Sequence, residues 1–443
     1  MESIVQASET TLLGSLNFTP GKTGPYVQDR KSVQIHPGSG NHFSPAGIRV
    51  IRFTLAASDW LVPETLRIGF TVRNNSAAAA LQPVSCLPGT IFSRVRILSN
   101  GVLLEDMNLC NRQINTFNGM LPPERQYMDA AEGFGVNGNN PLLSSIEWVP
   151  EQIPAGGERR VFMTLMSGLL NQHLWIPLPY LPLTIECEIG DASQAFAPLY
   201  RAPGVAATVA ATAMSQDWVI FDARLYCDMC TLDASLQSSY ASHLQNNSLP
   251  IAFSSFVTQT QRSEGAAQTL VLARSFTRLK GIFVTFFRAN DPTGLKNISN
   301  FQYHHHGAGA YNHAADGLEV QMQIGAKKYP EYPMSCLAEF YYRLRLAVGA
   351  HFGDVPINVL PHEFRSSKFM IAVDTEKAAS GPAGGVSFSG VSTRGGELLT
   401  IDYKGFGAPH ADAALSTVPT QSFISLNFDC VVDITASGCS ISD

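Results

Sequence analysis

Two long tracts of alternating apolar and polar residues, each about half of the chain, constrain the fold of this protein most. The first tract closes at residues 218–230, where one strand face is expected to carry Val219, Phe221, Ala223, Leu225, Cys227 and Met229. The second closes at residues 424–434, where the apolar phase is Ile424, Leu426, Phe428, Cys430, Val432 and Ile434. A period of two is what a strand with one buried and one wetter face requires. The sequence therefore predicts two β domains in tandem.

The composition agrees with this organisation. The chain has 443 residues, which is long for one hydrophobic core and sufficient for two domains of about 200 residues each. Its 36 glycines and 26 prolines fit many turns, and its 15% of charged residues fits a protein that hides outer surface in an assembly. The net charge is −6 and no run rich in Lys and Arg is present, so no basic arm for nucleic-acid phosphates is predicted.

No segment predicts secretion or membrane insertion. The N-terminus lacks a basic stretch followed by an apolar one, and the most apolar segment, residues 205–214, is shorter than the roughly 20 residues that span a bilayer. Several of the eight cysteines occupy the apolar phase of strands, where a reduced thiol acts as a small hydrophobe. We therefore expect a soluble protein made inside the cell, with structural thiols in preference to a disulfide framework.

Strand signals and turn-rich segments divide the chain into four parts. Residues 1–45 show little periodicity and are predicted to form an extended N-terminal arm. A first β domain is expected over residues 46–231, a connector with a short helix over residues 232–248, and a second β domain over residues 249–443. In each half a strand and a Gly turn precede an amphipathic helix, with Cys110, Ile114, Phe117 and Leu121 in the first half and Leu337, Phe340, Tyr341, Leu344 and Val348 in the second. This parallel predicts an internal duplication.

Several segments, in their order along the chain, carry a resemblance to a known family. Residues 223–233, Ala-Arg-Leu-Tyr-Cys-Asp-Met-Cys-Thr-Leu-Asp, followed by Ser-Ser-Tyr-Ala-Ser-His-Leu, resemble the junction of double jelly-roll major capsid proteins. Residues 87–105 are similar to an early hairpin of these proteins, and residues 170–189 to a later strand. Residues 323–330 and 434–438 resemble second-domain features of polinton-like virus, adintovirus and virophage capsids.

The resemblance implies an all-β fold of two tandem jelly-roll sandwiches with short connecting helices. It also implies a non-enzymatic major capsid protein that forms homotrimers of pseudo-hexagonal outline and tiles an icosahedral shell. The implied partners are the chain itself, neighbouring capsomers, and penton and minor capsid proteins. The family packages duplex DNA, often within an inner membrane beneath the shell, and no sequence-specific binding of nucleic acid is expected. Six similar jelly rolls per trimer approximate six-fold packing with three identical chains. The expected location is the virion.

Two motifs that suggest ligand binding have simpler structural explanations. A phosphate-binding loop at Gly21-Lys22-Thr23 would need a Gly at position 16, which is Leu16. Cys227 and Cys230 have the spacing of a zinc knuckle, but no second pair completes four ligands. Core packing is therefore the favoured interpretation of these two cysteines.

A histidine-rich segment is the remaining metal candidate. It contains His304, His305 and His306, with His313 further along. Dense imidazoles can hold zinc or nickel, but no Cys or paired carboxylate fixes a coordination geometry. We favour a solvated loop whose histidines titrate near about pH 6.5, and a pH-responsive surface is an alternative. We predict no catalytic residue, no cofactor-binding residue and no cofactor.

Two alternative functions remain open at this point. A penton or minor capsid component is one, although pentons usually need a single β domain. A carbohydrate-binding or glycan-cleaving β protein is the other, and it would need two carboxylates in one cleft. The candidates for that pair are Glu186 and Glu188, which lie on the polar face of one expected strand.

Overall fold

The computed structural model describes residues 26–136, 150–200, 212–263, 267–287, 319–352, 357, 359, 364, 368–377, 390–395, 397–405 and 420–442. The first half contains, in chain order, the elements β1 (Val27–Ile35), β2 (His42–Phe43), β3 (Val50–Leu55), β4 (Trp60–Asn74), β5 (Phe92–Ser99), β6 (Val102–Asn108), α1 (Cys110–Asn118), α2 (Pro123–Glu132), β7 (Glu158–Met163), β8 (Ile176–Pro177), β9 (Leu183–Ile189), α3 (Ala192–Ala195), β10 (Leu199–Tyr200), β11 (Thr212–Ala213) and β12 (Trp218–Leu232).

The second half begins with a connecting helix and continues with strands and one longer helix. Its elements are α4 (Ala234–Asn246), β13 (Leu249–Arg262), β14 (Gln268–Leu272), β15 (Leu279–Phe287), β16 (Glu319–Ile324), β17 (Lys327–Met334), α5 (Leu337–Phe352), β18 (Ile371–Asp374), β19 (Leu399–Lys404), β20 (Gln421–Thr435) and β21 (Gly438–Ser442).

The two halves pair their main strands in the same order. The first half forms one sheet in the order β1-β12-β4-β7 and a second in the order β3-β9-β5-β6. The second half forms β13-β20-β15-β18 and β14-β19-β16-β17. The eight strands of these two paths can be numbered 1 to 8 in chain order within each half. Both halves then have the order 1-8-3-6 in one sheet and 2-7-4-5 in the other, with antiparallel pairing throughout. This is the strand order of a jelly roll, so the fold is the predicted double jelly roll.

Each jelly roll encloses a hydrophobic core between its two sheets. In the first, Phe70 of β4 meets Phe92 of β5 edge to face, with ring centroids 5.6 Å apart. In the second, Phe286 of β15 meets Tyr403 of β19 in the same way, also at 5.6 Å. These contacts identify the inner face of each sheet, because they join a strand of one sheet to a strand of the other.

A hairpin followed by a helix recurs at the same position in each jelly roll. The turn between β5 and β6 contains Asn100 and Gly101, both with positive φ, and the turn between β16 and β17 contains Gly325 with φ of 58°. Helix α1 follows β6, and helix α5 follows β17. The predicted parallel between the halves is therefore present in the topology.

The predicted phase of strand β12 is wrong at its start. Trp218 and Ile220 are buried there, and Val219 and Phe221 lie on the half-exposed side. A bulge at Asp222, which has φ of 51°, shifts the register, so the buried phase continues as Ala223, Leu225, Cys227 and Met229. A bulge adds one unpaired residue and thereby moves the following side chains to the opposite face.

The predicted N-terminal arm over residues 1–45 is also wrong in part. Residues 27–35 form β1, an edge strand that pairs with β12, and His42 and Phe43 of β2 pair with the same strand. Five successive residues of β1 are exposed, so no apolar alternation marks the strand. Ion pairs hold it instead, from Arg30 to Asp228 and from Lys31 to Asp59, each at 2.6 Å. Charged edge strands of this kind resist pairing with other chains.

The connector helix is confirmed. The carboxylate of Asp233 accepts a hydrogen bond from the backbone N–H of Ser235 and so caps α4. Tyr240 packs on Trp60 with ring centroids 4.8 Å apart, and Leu244 is buried. The helix is therefore fastened to the first jelly roll as it leads into the second.

The inner face of β20 provides a test of the fold. Phe428 is 5% exposed, and its ring centroid lies 4.8 Å from that of Phe276. A Phe428→Asp protein is expected to yield no soluble folded material, because an unpaired buried carboxylate costs several kcal/mol, roughly the stability of a domain. Soluble yield and far-ultraviolet circular dichroism measure the outcome. Val271→Asp, on a side chain that is 44% exposed, is the control and is expected to fold.

Candidate functional site

Of the metal candidates in the sequence, the structure describes Cys227 and Cys230. His304, His305, His306 and His313 lie outside the described residues, as does Gly21-Lys22-Thr23. Cys227 and Cys230 are both buried in strand β12 and are free. Burial raises the pKa of the Cys227 thiol to about 11, which disfavours the thiolate that zinc requires. Within the described ranges, no group of three or more His, Cys, Asp or Glu side chains could hold a metal ion.

Glu186, one of the two glutamates considered for glycan chemistry, belongs to a ladder of ion pairs. Glu186 of β9 is bound by Arg52 of β3 at 2.5 Å and by Arg96 of β5 at 2.9 Å. Its side chain is 8% exposed, and each of its two carboxylate oxygens contacts one of these arginines. An adjacent cross-strand pair, Arg94 and Asp106, extends the ladder. The arrangement ties the four strands β3, β9, β5 and β6 together, and it holds the Glu186 carboxylate between two arginines.

The principal polar site of the described structure lies between the two jelly rolls. On one side is α1, and on the other is the outer face of the sheet formed by β13, β20 and β15. Arg112 of α1 places its guanidinium carbon 3.5 Å from the ring centroid of Phe423. The Phe117 ring lies 5.6 Å from Phe256 and 5.3 Å from Phe283. We call these contacts, together with those of Gln113, Glu105 and Gly168 described below, the inter-roll junction.

Hydrogen bonds complete the contact of α1 with the sheet. Gln113 donates from Nε2 to Thr258 Oγ1 at 2.6 Å, and this oxygen lies 2.9 Å from Ser425 Oγ. Thr258 and Ser425 are directly opposite each other in the pairing of β13 with β20, so both point to the outer face. Arg112 and Gln113 are 6% and 2% exposed. The junction therefore buries the polar side of α1, which an isolated helix would present to water.

Glu105 of β6 is a second buried anchor of the junction. Its carboxylate accepts hydrogen bonds from the hydroxyls of Ser167 and Ser255 and from the backbone N–H groups of Gly168 and Leu169. Ser255 belongs to the second jelly roll and the other donors to the first. Burial raises the pKa of the Glu105 carboxyl, and the hydrogen bonds oppose that rise. One carboxyl group thus joins a strand and a loop of the first roll to β13 of the second.

Lys280 forms a buried ionic cluster in the same sheet. It is the extra residue of a bulge in β15. Its Nζ lies 3.3 Å from Asp429 and 3.5 Å from Glu376, and it donates to Ser254 Oγ at 3.2 Å. The side chains of Asp429 and Glu376 have no exposed surface. Burial raises the pKa of Glu376, and the charge of Lys280 opposes the rise.

At the junction, the backbone around Gly168 lies very close to the backbone of β13. A Cβ atom added at Gly168 would lie 1.9 Å from the carbonyl oxygen of Ser254. Only a residue without a side chain allows the loop after β7 to lie against β13 at this distance.

The outer face of the corresponding sheet in the first jelly roll is less buried, as far as the described residues show. Phe162 of β7 and Tyr226 of β12 pack over Gly69 of β4, with ring centroids 5.2 Å apart. Arg160 donates to the Tyr226 hydroxyl at 3.0 Å, and the Asp222 carboxylate pairs with it at 2.5 Å. These side chains are half-buried or exposed, whereas Phe256, Phe283 and Phe423 of the second roll are at most 8% exposed.

The inter-roll junction was not predicted from the sequence, because the polar side chains of β20 were expected to face solvent. Asn427 is 2% exposed and Asp429 has no exposed surface. The available signal was the presence of Phe256 and Phe423 in the outer phase of their strands. A large aromatic residue on a nominally polar face predicts that the face is covered.

No helix in the described parts of the chain is both long enough and apolar enough to cross a membrane.

Comparison with known proteins finds solved structures with a similar architecture. No protein-family model and no curated protein sequence matches the chain. Among solved structures, it is similar to VP54 of the virus PBCV-1, fitted into a reconstruction of the virophage Sputnik, with a TM-score of 0.61, 13% identity, and coverage of 96% of this chain and 100% of that one. It is similar to the Faustovirus major capsid protein, with a TM-score of 0.60, 12% identity, and coverage of 98% and 94%.

A chain in the cryo-EM structure of the Sputnik virophage is similar as well, with a TM-score of 0.58, 10% identity, and coverage of 98% and 92%. At such identities the likeness concerns the fold. It extends over nearly the full length of both chains, so the two rolls are matched as a pair.

The close approach at Gly168 gives a test of the junction. Gly168→Ala is expected to destabilise the protein by about 1 to 3 kcal/mol, because the methyl group forces the loop and β13 apart. The thermal unfolding midpoint should fall by several degrees. Gly38→Ala is the matched control, since a Cβ there has no atom within 4 Å. Equal midpoints for the two variants would contradict the tight junction.

The Lys280 cluster predicts a pH-dependent defect. Lys280→Met is expected to cost about 3 to 5 kcal/mol near neutral pH, because Asp429 and Glu376 lose their buried cation. Glu376 has a folded pKa above its unfolded value, so its favourable contribution is present at low pH and is lost as the pH rises. The deficit, measured from urea midpoints, should therefore shrink as the pH falls from about 7.5 to about 4.5. Lys280→Arg should retain most of the stability, and a deficit that grows on acidification would refute the assignment.

Proposed function

We propose that this chain is the major capsid protein of a double-stranded DNA virus, and that its function is to assemble as homotrimers that tile an icosahedral shell. The observation that carries the proposal is the identical strand order of the two jelly rolls together with their rigid buried junction. The similar proteins from PBCV-1 and Faustovirus are capsid proteins, and the likeness covers both rolls.

Two equivalent rolls in one chain suit a hexagonal lattice. Three chains then supply six similar sandwiches around a three-fold axis, which approximates six-fold symmetry and allows close tiling. A stable trimer of this kind needs interfaces of more than about 2,000 Å². The low charged content of the chain, 15%, suits a subunit with neighbours on all sides.

The junction makes the pair of rolls one rigid unit. Ionisable groups such as Glu105 and Arg112 are buried across it, so sliding one roll over the other would break the Glu105–Ser255 hydrogen bond and the Arg112–Phe423 contact. A fixed angle between the rolls is what a trimer of constant outline requires. For this reason the proposed work of the protein is structural and not catalytic.

The domain division follows the same proposal. We assign the first jelly roll to residues 26–231, which includes β1 and β2, the connector to residues 232–248, and the second roll to residues 249–443. Each sheet draws its strands from one half alone. The proposed partners are further copies of the chain, neighbouring capsomers, and penton and minor capsid proteins, and the proposed location is the virion.

The oligomeric state of the purified chain tests the proposal. Native mass spectrometry at micromolar concentration is expected to give a species of three times the chain mass of 47.9 kDa. The trimer should persist in high salt, because extensive apolar burial is not screened. A monomer, or a dimer with two-fold symmetry, would contradict the proposal. Binding to a panel of oligosaccharides by the monomer would favour the glycan-binding alternative.

A further inference from the structure

The buried cluster around Lys280 contains the chemical groups that an amide bond between two side chains requires. Lys280 carries an amine and Asp429 a carboxyl group, and Nζ lies 3.3 Å from Oδ1 of Asp429. The carbon that an amine would attack is bonded to that oxygen, so the two groups are near the separation from which a bond can form. A third group, the Glu376 carboxyl, lies 3.5 Å from the same nitrogen and can carry a proton.

The strands hold both reacting side chains in place. Lys280 is the extra residue of the bulge in β15, and its carbonyl oxygen accepts a hydrogen bond from the N–H of Thr375 at 2.9 Å. The N–H of Asp429 in β20 donates to the carbonyl oxygen of Arg278 at 3.1 Å. Ser254 of β13 links the two side chains, because its Oγ accepts from Lys280 Nζ at 3.2 Å and donates to Asp429 Oδ1 at 2.7 Å. Little freedom therefore has to be lost before the two groups react.

Burial favours condensation of this pair over its reversal. The Lys280 side chain is 9% exposed, and those of Asp429 and Glu376 have no exposed surface. Within the described part of the chain, Oδ2 of Asp429 accepts no hydrogen bond. An ion pair in such surroundings keeps two charges away from water at a cost in free energy, whereas an amide is neutral. Water, which would hydrolyse the amide, has little access to the site.

We propose that Lys280 and Asp429 condense to form an isopeptide bond, a covalent modification that joins β15 to β20. The Lys280 ammonium first transfers one proton to the Asp429 carboxylate. The electron pair of Nζ then forms a bond with Cγ of Asp429, and the bond from Cγ to one carboxyl oxygen breaks. That oxygen leaves as water with the proton it received and a second proton from Nζ. One amide and one water molecule are produced, and nothing is oxidised or reduced.

Glu376 carries the second proton from the nitrogen to the leaving oxygen. Burial raises the pKa of its carboxyl group, which favours the protonated form that can donate to that oxygen. In the freshly folded chain the pair of Lys280 and Asp429 is ionic, and the reaction is slow because an ammonium group has no free electron pair. The finished bond links two strands that are distant in the sequence, so it stabilises the second roll against unfolding.

Intact-mass spectrometry of the full chain tests the bond. A species lighter than the freshly purified chain by one water molecule is expected to become the main species during one month at neutral pH. A tryptic digest of the aged protein should contain a branched peptide that joins residues 279–288 to residues 405–443. An aged wild-type chain of unchanged mass would overturn the inference. This measurement does not depend on the oligomeric state, so its outcome is independent of the proposed capsid function.

Two substitutions locate the reaction. Lys280→Arg keeps the positive charge, but a guanidinium group stays protonated and is not a nucleophile, so the aged variant should keep its full mass. Loss of water that persists in this variant would come from another site and would overturn the inference.

Glu376→Gln is expected to slow the loss of water at least about tenfold, because the amide side chain cannot carry the proton. The thermal unfolding midpoint of the fresh variant should stay close to the wild-type value. Glu319→Gln, on the other sheet of the second roll, is the matched control and should leave the rate unchanged. Equal rates in Glu376→Gln and the wild-type chain would overturn the role of Glu376.

Discussion

The fold depends on the burial of a polar helix face against the outside of a β-sheet. Helix α1 places Arg112 and Gln113 on the second jelly roll, where they meet Phe423 and Thr258. Burying Arg112 or Gln113 without its contacts on the second roll would cost free energy, so these contacts favour the same arrangement together. The matching fixes one arrangement of the two rolls, and two sandwiches on one chain thereby become a single building unit.

The two jelly rolls share one topology, so each roll contains the two kinds of element that form this junction. Both rolls present a helix after the fifth strand and an outer sheet with aromatic side chains. Among the described residues, α1 meets the outer sheet of the second roll through Arg112 and Gln113. Tyr342 of α5 is exposed, and Phe162 of the first roll is half-buried.

Much of the fold could be predicted from the sequence, because period-two alternation is a local property. The tandem β domains, the connector helix and the recurring hairpin and helix all follow from such patterns. Strand β1 was not predicted because its residues, from Gln28 to Ser32, are exposed on both phases of an edge strand. The bulge at Asp222 was missed because a left-handed backbone in a residue other than glycine leaves little trace in the sequence.

The site was less predictable than the fold, for a physical reason. Contacts such as Glu105 with Ser255 join residues that are 150 positions apart, and neither residue type is unusual where it stands. Asp429 is buried because other parts of the chain cover the outer face of β20, and the sequence of β20 alone does not reveal this. The ion pairs of Glu186 were missed for a similar reason, since its partners Arg52 and Arg96 lie on other strands.

A cryo-EM reconstruction of the purified protein tests the central claim most directly, since it images the junction within each chain and the proposed trimer together. The account predicts a three-fold particle with six sandwiches in a ring and α1 at the boundary between the two rolls of each chain. A particle without three-fold symmetry, or one whose two rolls vary in their mutual orientation, would contradict it.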